Sequence, residues 1–341
     1  MNNKKLLALA ALAACAAGAH AQSSVTATGL VDMYVGSMKA PGDDGRSNVV
    51  GSGGMTTSWF GFKGTEDLGG GLKANFALTG FMRADTGTPG RFGGDNFWSR
   101  DALVSLSGGF GAVTLGRTVA PNFIPTISMN PFGDSFTFSP LVLHQNVSLF
   151  NKSGWQSSNP SDTGWSNQVI YSTPNVAGFS GNLHYQFGEQ AGKGGKNNIG
   201  LNATYANGPL AVTGFYENVD MSNPVPTVLD ENHKNWMLGA SYDLTVAKLY
   251  ATYGQTTGKD TDYKIKTASL GATVPLTANS RILAAYAHSK LQDSEAKRDT
   301  VSVGYNYDLS KRTDGYAIVM YDKVKSFGSG TSFGVGMRHR F

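Results

Sequence analysis

Reactive side chains are few and scattered. Beyond residue 21 the histidines are His144 and His233 in polar stretches, His184 and His288 in alternating segments, and His339 near the end. No two have the spacing of a zinc pair, and no Gly-x-Ser-x-Gly elbow presents a nucleophile. A hydrolytic triad needs nucleophile, base and orienter within hydrogen-bond reach, and no segment marks such a set. The single cysteine, Cys15, falls in an apolar leader. Asp43-Asp44 and Asp260/Asp262 either solubilise loops or touch calcium between them. The sequence predicts no enzyme and no cofactor. What its ionisable residues can do is shape an electric field, and that depends on the elements that hold them.

The leader comes first among those elements. Lys4 and Lys5 precede the apolar run 6–18, which is too short to span a bilayer, and Ala19-His20-Ala21 offers a small-x-small cleavage site. Residues 1–21 read as a signal peptide. Leu12-Ala13-Ala14-Cys15 resembles a lipoprotein box instead, but the chain after Ala21 enters a strand at once, where a lipoprotein places a polar linker. The net charge of +4 includes Lys4 and Lys5, so the remainder is nearly balanced and gives no reason to expect nucleic acid as a partner. Mean hydropathy is −0.21, and no later stretch is apolar enough for a transmembrane helix. That criterion misses barrels, because only every second residue of a barrel strand faces lipid.

Residues 22–341 read as one all-β domain. Among 44 Gly and 14 Tyr, short alternating segments recur, bounded by Gly, Asn, Asp, Ser or Pro. They are 24–38, 57–66, 71–83, 95–107, 110–118, 165–173, 179–189, 197–206, 209–219, 233–244, 246–257, 263–275, 279–290, 297–308, 312–322 and 331–341. These sixteen predicted strands make an even number, as a closed bacterial barrel requires. Tight turns such as Gly108–Gly109 and Asn207-Gly208 alternate with longer polar loops at 39–56, 84–94, 119–164, 190–196, 220–232, 258–262, 291–296 and 323–330. Short on one side and long on the other is the asymmetry of outer-membrane barrels. In the last strand Phe333, Val335, Met337, His339 and Phe341 share one face, and Ser332, Gly334, Gly336, Arg338 and Arg340 the other. A soluble sandwich alternates too. Faces of Gly, Ala and single aromatics are thin for a sandwich core and adequate for a lipid-facing band. Tyr205, Tyr242, Tyr253, Tyr305 and Phe341 sit where an aromatic girdle belongs.

Five segments carry a family resemblance. They are the opening Ser24–Asp32, the run Gly61-Phe62-Lys63-Gly64-Thr65-Glu66-Asp67-Leu68-Gly69-Gly70-Gly71-Leu72-Lys73-Ala74, the run Leu106–Arg117, Asn130-Pro131-Phe132-Gly133-Asp134-Ser135, and the ending Gly336–Phe341. In order along the whole mature chain, they resemble the trimeric general porins of Gram-negative outer membranes, especially the betaproteobacterial branch. The resemblance implies a transmembrane antiparallel 16-stranded β-barrel in the outer membrane. It implies passive diffusion of small hydrophilic solutes and ions, a homotrimer, and contact with outer-membrane lipids and lipopolysaccharide. The terminal Phe341 resembles the signal that the outer-membrane insertion machinery reads. A substrate-selective channel and a structural or adhesive barrel are the alternatives.

In such a barrel 119–164 is the expected third loop, folded inward to constrict the pore. Roughly 45 residues without a strand pattern are usually functional. Phe123, Ile124, Phe132, Phe136 and Phe138 are its expected anchors. By resemblance, Arg117 and Arg100 are basic constriction residues and Asp134 their acidic counterpart. Arg117 would need a bulge near Gly116 to turn inward. Alternation places Lys63 inward if Phe60 and Phe62 face lipid, and Arg83 in the outer vestibule on the face of Asn75 and Thr79. Asp32 is expected on the opposite wall. The chain departs from the family's pattern at Trp59, where an arginine is common, at Thr79, where an acid is common, and at Ile170, where a base is common. The expectation is a weakened transverse field and a mild preference for anions.

Overall fold

The computed structural model describes residues 24–145, 150–151, 154–155, 163–189, 197–220, 232–259, 264–325 and 327–341. The leader lies outside these residues, as do parts of the expected third loop. The sheet contains 18 strands, of which Ser47–Ser52 and Thr88–Pro89 are short additions. The sixteen others close the barrel. We number them β1 (Ser24–Met38), β2 (Trp59–Gly69), β3 (Leu72–Arg83), β4 (Asp101–Gly108), β5 (Gly111–Val119), β6 (Gly164–Ser172), β7 (Phe179–Gln186) and β8 (Asn198–Asn207). The second half comprises β9 (Leu210–Val219), β10 (His233–Asp243), β11 (Lys248–Gly258), β12 (Lys264–Thr277), β13 (Ser280–Leu291), β14 (Lys297–Asp308), β15 (Thr313–Val324) and β16 (Gly328–Arg340).

Each strand pairs antiparallel with the next, and β1 closes the ring against β16, from Leu30↔Arg340 to Ser37↔Phe333. Closure leaves no sheet edge, which a hydrocarbon environment demands of every backbone donor and acceptor. On its other edge β1 pairs with β2 over Ser24–Leu30 and with Ser47–Ser52 over Met33–Met38. Tight turns use glycine where the chain must reverse: Gly70 and Gly71 between β2 and β3 have φ of 61° and 82°.

The faces are inverted relative to a soluble protein. Leu238, Leu270, Val303, Val335 and Met337 are exposed on the outside, whereas Gln168, Asn198, Asn202, Thr252, Thr267 and Thr300 are buried inside. Hydroxyls and amides pair across neighbouring strands, as in Thr252–Ser269 at 2.6 Å and Asn182–Asn202 at 2.7 Å. An apolar exterior over a hydrogen-bonded interior excludes the sandwich reading.

The connection after β5 folds into this interior. It carries two short helices, α1 (Phe123–Ser128) and α2 (Pro140–Gln145). A row of inward glycines makes its path. A methyl group at Gly200, Gly239, Gly271 or Gly334 would stand 2.6–2.8 Å from Pro121, Met129, Pro131 or Phe138 respectively. The loop therefore lies flat on strands β8, β10, β12 and β16. Phe132 and Phe138 are its true anchors, buried against Tyr34, Met55, Leu283, Tyr316 and Ile318. Phe123 stacks on Phe136 with ring centres 6.4 Å apart, and Ile124 is exposed, so Ile124 is no anchor.

Three local expectations change. The segment predicted as a strand from residue 95 becomes regular only at Asp101. The stretch 39–56, read as a loop, contains the strand Ser47–Ser52. After it the chain dips inward at Gly53–Thr56, where Met55 and Thr56 are buried.

Candidate functional site

The inward dip meets the third loop and joins Asp134, Arg338, Arg340 and Asp314 into one network. Thr56 is its hub: its Oγ1 donates to Asp134 Oδ1 at 2.8 Å and accepts from Arg338 Nη1 at 2.8 Å. Arg338 also donates to both carboxylate oxygens of Asp314, at 3.1 and 3.0 Å, and Arg340 reaches the same carboxylate at 3.1 Å. Two arginines thus share one acid. The backbone fixes this arrangement through Ser135 Oγ, which donates to the Gly54 carbonyl at 2.6 Å, and Thr137 Oγ1, which donates to that of Gly53 at 2.9 Å. Lost hydration is the largest influence on Asp134 and raises its pKa above the ordinary carboxylate value. Thr56 and the positive charges of Arg338 and Arg100 oppose that shift without cancelling it.

A basic column stands on β2 and the segment before β4. The Arg100 guanidinium lies 4.1 Å from the Trp59 ring centre, and Lys63 Nζ lies 5.6 Å from the same centre. Phe60 and Phe62 are exposed on the opposite face, so alternation turns Trp59 and Lys63 inward. Trp59 is therefore a platform for two cations, which stabilise against its face while keeping their charge. Asp101 accepts from Arg100 Nη1 at 2.5 Å, from Thr79 at 2.7 Å and from Thr118 at 2.8 Å. Thr79 and Ile170, the other two departures, are both buried.

Other predicted site residues lie elsewhere. Asp32 does not line the pore. It is wholly buried and accepts Met55 N and Thr56 N, each at 2.7 Å, and Tyr316 Oη at 2.5 Å. Its task is to clamp the inward dip. Arg117 pairs in register with Ala102, on the strand face that carries the exposed Leu115 and Val104. Its buried guanidinium donates to the Ser99 carbonyl at 2.8 Å and to Ser166 Oγ at 2.9 Å. Gly116 has φ of 121°, yet register with β4 continues past it; the irregularity lies across the way in β6, between Trp165 and Gln168. Arg117 is thus held apart from the Asp134 network. Arg83 ends β3 beside Phe136 of the loop. Phe341 exchanges two 3.0 Å backbone hydrogen bonds with Gly29 and lays its ring over that glycine.

The sequence reading missed the other half of the site. Alternation in β16 had already placed Arg338 and Arg340 on the polar face, which was the available signal; Thr56 gave none. It also missed the loop's far mooring. There the Arg298 guanidinium donates to Asp322 through two nitrogens, at 3.0 and 2.7 Å, and to the Leu143 carbonyl at 3.0 Å. His144 sits between Ser289 Oγ at 2.7 Å and Thr300 Oγ1 at 2.8 Å. Among the described residues no group of three His, Cys, Asp or Glu has the geometry of a metal site.

A charged lumen, filled in part by the third loop, thus lies inside an apolar ring. The family model described as "Gram-negative porin" matches residues 8–326. The chain is 34% identical to "Outer membrane porin protein 32" of Delftia acidovorans over 99% of both chains. It is 30% identical to an outer membrane porin protein of Bordetella pertussis, over 99% of this chain and 100% of the relative. The solved "Anion-selective porin from Comamonas acidovorans" superposes with a TM-score of 0.77 at 31% identity, covering 94% of this chain and 100% of that one. Together with the closed sixteen-stranded barrel, these matches place the chain in the Gram-negative porin family, as a passive channel of the outer membrane.

Proposed function

We propose that this channel passes small hydrophilic solutes with a mild preference for anions, set between Asp134 on the loop and the basic wall. The observation that carries the reading is the Arg100–Trp59–Lys63 column. The sharing of Asp314 by Arg338 and Arg340 supports it, because one acid offsets only one of two bases. The Comamonas porin of similar sequence is named as anion-selective. The preference is mild because Trp59, Thr79 and Ile170 add no charge, and Asp101 and Asp134 oppose the bases.

Reversal potential across a KCl gradient tests this. The unmodified channel is expected to favour chloride, and Arg100→Ala with Lys63→Ala to move the potential toward the cation side. Strong cation selectivity of the unmodified channel would overturn the proposal. Liposome swelling separates the general channel from a selective one: entry limited by size without saturation supports the former.

The same reading extends to export and assembly. Residues 1–21 are removed, and an intact mass starting at Gln22 is the expected result. The mature protein forms a homotrimer among outer-membrane lipids and lipopolysaccharide, with Phe341 read by the insertion machinery. Support comes from the family resemblance, and cross-linking in membranes measures the oligomer.

A further inference from the structure

We propose that a recess beside the constriction binds small monocarboxylates with a compact apolar body. This deepens the anion-passing reading and rests on it. The recess has a volume of about 170 Å³ and lies between the third loop and the barrel wall. Phe136 and Thr137 form its loop side, Met82 and Arg83 its wall side, and the inward dip, through Thr57, its third side.

Its donors are unequal. Arg91 also borders the recess, but its guanidinium is joined to Asp95 at 2.9 and 3.0 Å and rests over Phe81 at 5.2 Å. Its charge is already matched. Arg83 lines the recess and forms no ion pair with any described residue, Asp85 included, so its guanidinium charge is unmatched and open to an acceptor through its terminal nitrogens. The Thr137 hydroxyl is used on Gly53, and that of Ser52 on Ser58. Thr57 makes no side-chain hydrogen bond with a described residue, so its hydroxyl is a second available donor.

The ligand class follows from this balance. One unmatched guanidinium and one hydroxyl suit a single carboxylate, which accepts through both oxygens. The ring of Phe136 and the thioether of Met82 suit an apolar body against the third side. A dianion would leave its second charge facing those apolar groups, which is costly. At about 20–30 Å³ per atom-sized group the volume takes a carboxylate with a short branched chain or the near edge of one ring, the rest of the ring projecting into the open lumen.

Benzoate and acetate are suitable probes because they carry equal charge and differ in apolar body. Their block of single-channel current is measured with the full folded protein in planar bilayers. Benzoate is expected to half-block at about ten-fold lower concentration than acetate, the ratio that partial burial of a ring gives. Arg83→Gln is expected to bring that ratio toward one, Phe136→Ala to weaken benzoate alone, and Arg83→Lys to restore part of the difference. Equal block by the two acids in the unmodified channel overturns the proposal. So does a ratio that Arg83→Gln leaves intact. KCl current in each variant shows that the channel is folded and open. A cation-side reversal potential would instead mark failure of the underlying anion reading.

Discussion

Thr56 couples two signs of charge in the lumen, since one hydroxyl serves Asp134 and Arg338 together. Asp134 is the titrating member. Its raised pKa means that it takes up a proton above the ordinary carboxylate range as pH falls, removing the loop's negative charge first. Anion preference should therefore increase on acidification, and Asp134→Asn should show the acid-form preference at neutral pH and lose most of its pH response. Reversal potentials at several pH values check both. His144 titrates in the opposite sense. Burial pushes its pKa well below 6.5, and the neighbouring Arg298 and His288 add to this; Asp322 pairs with Arg298 and Asp299 with His288. The unfolded imidazole gains a proton below 6.5 while the folded one stays neutral. The mooring is thus fully stable above that pH and weakens as pH falls toward the folded value. Current noise should rise in acid, and His144→Gln should flatten that response; a pH-independent unmodified channel would refute the idea. At this scale the sequence was half legible. The inward face of Lys63 followed from alternation, and the place of Asp134 on the inward loop from resemblance. Asp32 and Arg117 did not, because their partners come from segments remote in sequence that cover them.

Among elements, the loop and its glycine path belong together. Gly271 faces Pro131 so closely that a Cβ would sit 2.7 Å from the proline Cδ, and a pyrrolidine ring cannot swing aside. Gly271→Val should lift the loop from β12, with destabilisation of about 1–3 kcal/mol, typical of overpacking. Thermal unfolding measures the destabilisation, and a changed single-channel conductance reports the displaced loop. Unchanged values in both would show that the close approach has no structural weight. The individual glycines were plain in the sequence, but their common purpose was not. Period-two alternation records which face a residue occupies; it says nothing about what lies against that face. The strand Ser47–Ser52 was hidden for a similar reason. It is stabilised by the upper half of β1, a partner that the local composition of 39–56 does not reveal.

At the scale of the molecule, the sequence was most informative because one repeated rule governs every strand. Outward apolar and inward polar residues, short turns alternating with long loops, and an even strand number are each weak locally and decisive together. The ring is sealed by backbone pairing of β1 with β16, extended by the Gly29–Phe341 exchange. Deleting Phe341 removes both of those hydrogen bonds and the ring packed on Gly29, so the amount of assembled protein in the outer membrane should fall several-fold. Gel mobility without heating, which separates folded barrels from unfolded chain, reads this directly. Mechanically, the ring has no first stave: the peptide break between β16 and β1 lies beside a ladder like any other. A circular permutant that joins Phe341 to Ser24 through a short linker and opens at Gly108–Gly109 would keep every ladder of the barrel and lose only that one-turn connection.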